Sequence, residues 1–174
     1  VILFAGRFVP QKNLDVFLAV LESIRDLPWK CIMQGDGPLR EKIDARIAET
    51  GLGHRIQLTG WVNPEQVIKV MDQSDILFMP SLSEGLPVVG VQALEAGLAI
   101  VASNIGGFTD LVEHDLNGAL HSPTDAPGMK QSLTKLLSDK TALRAARNAS
   151  MEKANDFDIK KITSKYEGLM TKVV

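Results

Sequence analysis

The stretch DILFMPSLSEGLPVVGVQALEAGLAIVAS, residues 75–103, decides the fold. It holds two short apolar runs, DILFMP (75–80) and AIVAS (99–103), with a longer segment between them that is mostly apolar or glycine. The runs have strand length and the segment between them has helix length. A strand, a helix and a second strand of this kind make a βαβ unit, whose parallel strands are covered on both faces and so need no polar alternation. Three polar side chains interrupt residues 84–97 of that segment: Glu84, Gln92 and Glu95. They form either a solvated edge or part of a ligand site.

The same alternation extends outward in both directions. VILFAG (1–6) is an apolar run closed by glycine, and Asn13 is placed to cap a helix over LDVFLAVLESIRDL. WKCIMQG (29–35) reads as the next strand, with Pro38 at the start of the helix LREKIDARIAETG. RIQLTG (55–60) is a third strand and PEQVIKVMDQS a short helix. After AIVAS come a short helix following Gly107 and a sixth strand, GALHS (118–122). From Ala126 the pattern is helical to the end in three pieces, with Asp156 to Asp158 marking a bend before FDIKKITSKYEGLM. The expected fold class is α/β: a Rossmann-like open parallel sheet of about six strands with helices on both faces. The 174 residues suit a single domain, with a core over 1–154 and a C-terminal helix over 155–174.

Composition narrows the function classes. A 45% hydrophobic content fills a core, and a net charge of −2 gives no electrostatic case for nucleic acid or a membrane surface. The one cysteine, Cys31, lies in the apolar run WKCIM. It allows no intramolecular disulfide or cysteine-rich zinc cluster, and reads as a buried structural thiol in a reducing, cytoplasmic setting. No run of about 20 apolar residues is present to cross a bilayer, and no signal peptide opens the chain. The start at Val1, inside a strand-like run and without Met, leads us to expect a fragment of a longer protein.

In an open parallel sheet, ligands bind beyond the carboxyl ends of the strands, so the loops there are where chemistry is sought. Arg7 and Lys12 put two cations in the first such loop, either to clamp a phosphate or as solvated residues. QGDGPLR after the second strand is half a dinucleotide fingerprint at best; Arg40 stands where a third small residue should pack, and a tight turn is the plainer reading. Trp61, after the third strand, either lies beside a base or packs into the protein. PSLSEGLP after the fourth strand leads into a helix that Pro87 can initiate. The free N–H groups there favour phosphate; Glu84 either caps them or accepts hydrogen bonds from sugar hydroxyls. Gly106 and Gly107 permit close backbone approach or a turn. His54, His114 and His121 are dispersed and read as structural or surface residues.

As a set, in this order and spacing, the loops resemble the C-terminal, donor-binding half of a family 4 glycosyltransferase of the GT-B fold. The resemblance runs through the opening strand with GR and a lysine five residues on, then GDGPLR, RIQLTGWV, SDILFMPSLSEGLP, AGLAIVASNIGG and FDIKKITSKYEGLM. It implies that Arg7 and Lys12 bind the diphosphate and that Gly60, Trp61 and Val62 border the base. It implies further that Glu84 contacts the donor sugar, with Gly85, Leu86 and Pro87 beside sugar and phosphate. Position 92 matches the second glutamate of the family's E-x7-E motif, which holds the ribose hydroxyls, but here it is Gln. Glu95 lies three residues on, about 4.5 Å further along a helix and rotated by about 60°, and is read as a surface or interdomain residue. An eight-residue helical span of about 12 Å suits sugar at one end and ribose at the other. A Gln amide keeps an acceptor for a ribose hydroxyl while losing the charge-assisted bond.

The implied activity is transfer of a sugar from a UDP- or GDP-sugar to an acceptor hydroxyl with retention of configuration, in glycan, polysaccharide or glycolipid biosynthesis. No cofactor or metal is implied, since Arg7, Lys12 and the helix start would offset the leaving diphosphate's charge. The acceptor, a glycan or lipid-linked sugar, would bind through an N-terminal half missing from this chain, as would any peripheral membrane contact. On that view the isolated domain binds donor and does not turn over. The alternatives are a non-catalytic nucleotide-sugar-binding module and another GT-B enzyme, such as a sugar-nucleotide epimerase or a phosphorylase. A nicotinamide-dependent protein is disfavoured because the loop after the first strand lacks G-x-G-x-x-G.

Overall fold

A computed structural model describes residues 1–159, 161 and 163. Among them are six strands: β1 (Ile2–Ala5), β2 (Cys31–Gln34), β3 (Ile56–Gly60), β4 (Ile76–Met79), β5 (Ala99–Ser103) and β6 (Gly118–His121). The helices are α1 (Leu14–Ser23), α2 (Arg40–Thr50), α3 (Pro64–Asp72), α4 (Val88–Glu95), α5 (Gly106–Leu111), α6 (Ala126–Ser138) and α7 (Lys140–Ala154). The strands form one parallel sheet in the order β3-β2-β1-β4-β5-β6. β1, β4 and β5 are buried throughout, which is why their sequences are uninterrupted apolar runs.

The strand order reverses direction between β1 and β4. Right-handed crossovers on the two sides of that point place their helices on opposite faces of the sheet. α1 packs on α2 and α6, and α4 packs on α5 and α7. The core beneath α1 is aromatic: Phe17 stacks on Phe78 at 5.0 Å and meets Phe4 edge-on at 5.2 Å. α7 is fastened to the sheet by Arg147, which donates to the Gly97 carbonyl at 2.7 Å and pairs with Asp75 at 2.5 Å. Ser150, fully buried, donates to the Leu98 carbonyl at 2.6 Å.

Several sequence expectations shift locally. The second strand starts at Cys31 rather than Trp29; Trp29 turns into the core and donates its Nε1–H to the Ile24 carbonyl at 2.8 Å. Pro38 does not start α2, which begins at Arg40, because Leu39 N–H is held by the Phe8 carbonyl and Arg40 N–H by Gly37. Asn13 occupies the cap position of α1 but caps nothing: its backbone is left-handed at φ 52° and its side chain donates to the Pro123 carbonyl. The short fifth helix starts at Gly106, one residue before Gly107. The expected last helix over 155–174 lies largely outside the described residues; its first three, Asn155–Phe157, form a 3-10 turn instead. Among the described residues, no helix is long and apolar enough to cross a membrane.

Candidate functional site

The carboxyl ends of β1 and β4 meet at the point where strand order reverses, and their loops are tied together. The loop after β1 contains a 3-10 turn at Pro10–Lys12. From it, the Gln11 carbonyl accepts from Leu82 N–H at 2.8 Å and the Gln11 Nε2 donates to the Ser83 carbonyl at 2.7 Å. This double tie brings Lys12 against Glu84, and Lys12 Nζ donates to Glu84 Oε1 in an ion pair. With side-chain exposures of 14% and 9%, it is the most buried ion pair among the described residues. Glu84 is therefore not a helix cap. α4 begins at Val88 with Pro87 in the cap position and no side-chain cap, so its first N–H groups stay free for another acceptor. Pro87 stands one residue before the helix it was expected to open.

Glycines hold the Glu84 segment in place. A Cβ on Gly107 would sit 1.6 Å from the Gly85 carbonyl oxygen, so only glycine lets the N-terminus of α5 carry the 84–85 backbone. On the other side, a Cβ on Gly35 would lie 2.0 Å from the Gly6 carbonyl oxygen, so the loops after β1 and β2 also touch backbone to backbone. The Lys12 side chain lies over Gly6. Arg7 is exposed and has no ion-pair partner among the described residues; the structure does not draw it into the Lys12–Glu84 pair.

Next to this pair a cavity of about 210 Å³ opens between the ends of β1, β2 and β3 and the side of α4. Ala5, Gly6 and Gly35 form part of its wall, Trp61, Val62 and Val67 another, and Val89 and Gln92 of α4 a third. Trp61 is 69% exposed, which overturns a packed role: it lines the cavity two residues ahead of Asn63, the cap of α3. That start is fixed by a capping box in which Asn63 accepts from Gln66 N–H and Gln66 accepts from Asn63 N–H. Gln92 faces the cavity, whereas Glu95 is exposed and lies beside Phe157 and Met151 near the end of α7. The helical spacing that separated these two residues in the sequence separates them in space.

A polar residue of the cavity wall escaped the sequence reading. Gln34, at the end of β2, is 4% exposed, and both atoms of its amide lack a hydrogen-bond partner. The only signal was a polar residue closing an apolar strand run, which reads equally as a strand boundary.

The remaining titratable groups lie elsewhere. His114 and His121 are not dispersed as the sequence suggested: the return of the chain into β6 brings them edge-on at 5.8 Å. His121 is bonded to Ser132 at 2.8 Å and lies 3.4 Å from Asp125; burial lowers its pKa below the usual 6.5, against the opposing pull of Asp125. Burial also pushes the Cys31 thiol far up, so it stays protonated. Among the described residues, no group of three or more His, Cys, Asp or Glu side chains is placed to hold a metal ion.

The sequence pattern of the family described as "Glycosyl transferases group 1" matches residues 1–154. The chain is 29% identical over 174 residues to the Escherichia coli UDP-Gal:alpha-D-GlcNAc-diphosphoundecaprenol alpha-1,3-galactosyltransferase, covering 97% of this chain and 44% of that protein. It spans less than half the length of the curated relatives it matches. Its fold is that of Anabaena HepE, crystallised with UDP-glucose (TM-score 0.84, 23% identity, 98% of this chain and 48% of that one). It is also that of the C-terminal domain of the Francisella tularensis group 1 glycosyl transferase LpcC (TM-score 0.82, 18% identity, 89% of this chain and 84% of that one). The chain belongs to the group 1 glycosyltransferases, and its fold is that of GT-B enzymes.

Proposed function

We propose that this chain is the donor-binding half of a retaining glycosyltransferase that takes its sugar from a UDP- or GDP-sugar. The observation that carries the reading is the Lys12–Glu84 ion pair, held at the switch point of the sheet beside the free N-terminus of α4. A cation, a carboxylate and a helix N-terminus converge there, next to a cavity with an exposed aromatic at its mouth. A diphosphate bound at Lys12 and the first turn of α4 would meet positive potential from both. Arg7, exposed on the same loop, adds a fork for the leaving phosphate. The donor sugar would lie on Glu84 and the backbone of Gly85, Leu86 and Pro87, and the nucleoside would extend along α4 toward Gln92, Trp61 and Val62.

In this arrangement the chain's own groups do two things. Lys12, Arg7 and the helix N-terminus stabilise charge that grows on the diphosphate as the glycosidic bond breaks. Glu84 orients the sugar so that its anomeric carbon faces the acceptor side. The acceptor glycan or lipid-linked sugar would be supplied through a second, N-terminal domain, as the short coverage of the relatives suggests. Donor binding is tested by thermal shift of this chain with UDP, GDP, ADP and their sugars, since a ligand that binds only the folded state raises its stability by mass action. Stabilisation by one nucleotide class supports the reading; no response to any of them at millimolar concentration sinks it. Transfer is tested in a protein carrying both halves, wild type against Glu84→Ala, with the anomeric configuration of the product read by NMR.

A further inference from the structure

Resting on the donor-binding reading above, we propose that Gln34 is a specificity-determining residue that reads the hydrogen-bonding edge of the nucleobase. A buried polar group without a partner is uncommon in a folded protein, and Gln34 has two such atoms on one side chain. β2 pairs with β1 on one side and β3 on the other without using the side chain.

Its position indicates what the missing partner is. Gln34 lies one strand away from the Lys12–Glu84 pair, on the side of β3. It helps wall the cavity whose other surfaces are Val62, Val67, Val89 and the exposed Trp61. That lining is an apolar slot suited to a planar ring. Gly6 and Gly35 contribute bare backbone to the wall beside it. Within such a slot the affinity comes from the flat faces and the selectivity from the few polar groups. Glutamine has three side-chain torsions, so a change of rotamer would bring the amide to the cavity without moving the strand. A primary amide offers an acceptor beside a donor. It thus pairs in two-point fashion with a ring that carries N–H next to C=O, such as the imide of uracil. Gln92, entering the same cavity from α4, is left for the ribose.

The test is Gln34→Met, which conserves volume and removes the amide, measured by calorimetric titration with UDP and with inorganic pyrophosphate, alongside thermal unfolding. UDP is the probe because HepE has been crystallised with it. The expected result is a loss of about tenfold or more in UDP affinity, as for a polar site left without its partner. Pyrophosphate affinity stays unchanged and the unliganded protein melts at a higher temperature, because an unpaired buried amide is gone. Equal UDP affinity in wild type and variant overturns the proposal while leaving the donor-binding reading intact. An equal loss for UDP and pyrophosphate overturns it too, because the amide would then act on the phosphate site. If the wild type binds no nucleotide at all, both readings fall together. Should Gln34→Met misfold, titration of the wild type with UDP and with N3-methylated UDP carries the comparison: a loss of affinity on methylation supports the proposal and equal affinity overturns it.

Discussion

Replacing Glu84 with glutamine should loosen the fold and tighten the grip on nucleotide at the same time. In the unliganded protein the Glu84 carboxylate neutralises Lys12 in a pair that is largely buried. Removing one partner of such a pair costs about 3–5 kcal/mol when nothing replaces it. Glutamine still offers Lys12 Nζ an acceptor, and a hydrogen bond to a charged group returns about 1.5–3 kcal/mol of that. The net loss is about 2 kcal/mol, or roughly 4–8 °C in Tm for a chain of this size. Nucleotide binding moves the other way. A phosphate oxygen touching Nζ would lie about 5–6 Å from the carboxylate, a like-charge repulsion near 3 kcal/mol at an effective dielectric constant of about 20. Counter-ions and the open side of the site remove part of this, so UDP should bind about tenfold more tightly to Glu84→Gln, a gain of about 1.4 kcal/mol. Sugar transfer by a protein carrying both halves should fall by about a hundredfold through lost positioning of the donor. Calorimetric unfolding, titration with UDP and a transfer assay read the three effects separately. Unchanged or weaker UDP affinity would refute Lys12 as the diphosphate cation, because freeing it from its carboxylate would then have made no difference.

Other perturbations bear on neighbouring parts of the site. Gln92→Ala should weaken UDP about fivefold or more through the loss of a neutral hydrogen bond while leaving pyrophosphate affinity untouched; unchanged UDP affinity would remove Gln92 from the ribose site. Gly107→Ala drives a Cβ into the Gly85 carbonyl and should cost about 3 kcal/mol together with nucleotide binding, whereas a Cβ at Gly85 meets open space and Gly85→Ala should leave the melting temperature near that of wild type. His121 titrates below its unfolded value, so the folded protein resists the proton that the unfolded chain accepts. Its contribution to stability is therefore fully present above the ordinary pKa of 6.5 and is lost as pH falls through the lower folded value. The charged and titratable groups facing it are Asp125, Asp115 and His114. Denaturant melts of His121→Asn against wild type should show a flatter pH dependence in the variant below that pH, and parallel curves would exclude the residue as the source.

The sheet was legible because burial on both faces erases polar alternation, leaving runs such as ILFM and AIVAS that read only as interior strands. Gln92 and Glu95 were separable because helical rotation alone sends them to different surfaces. The Lys12–Glu84 pair was not legible: the residues are 72 positions apart, and their meeting depends on β4 rather than β2 closing the far side of β1. For Trp61 the sequence left packing and a place beside a base both open, because its spacing fixes the loop and not the direction of the ring; the ring is exposed. Gln34 was overlooked because a polar residue ending a strand is ordinary, and only three-dimensional accounting of its amide shows that nothing satisfies it.

The tie between Gln11 and the segment Leu82–Ser83 has a consequence for when the site comes into being. Its bonds join loops 72 residues apart, so the first loop can hold its shape only after β4 has docked beside β1. As the chain leaves the ribosome, everything through the third helix can be made before either loop is set. Closing so long a segment is slow relative to local helix formation, which places the corner where these two loops meet among the last parts to order. It also makes the two loops one cooperative unit in the finished protein. The Leu82 amide, bonded to Gln11 rather than to its own neighbours, is then a natural hydrogen-exchange reporter on the opening of both.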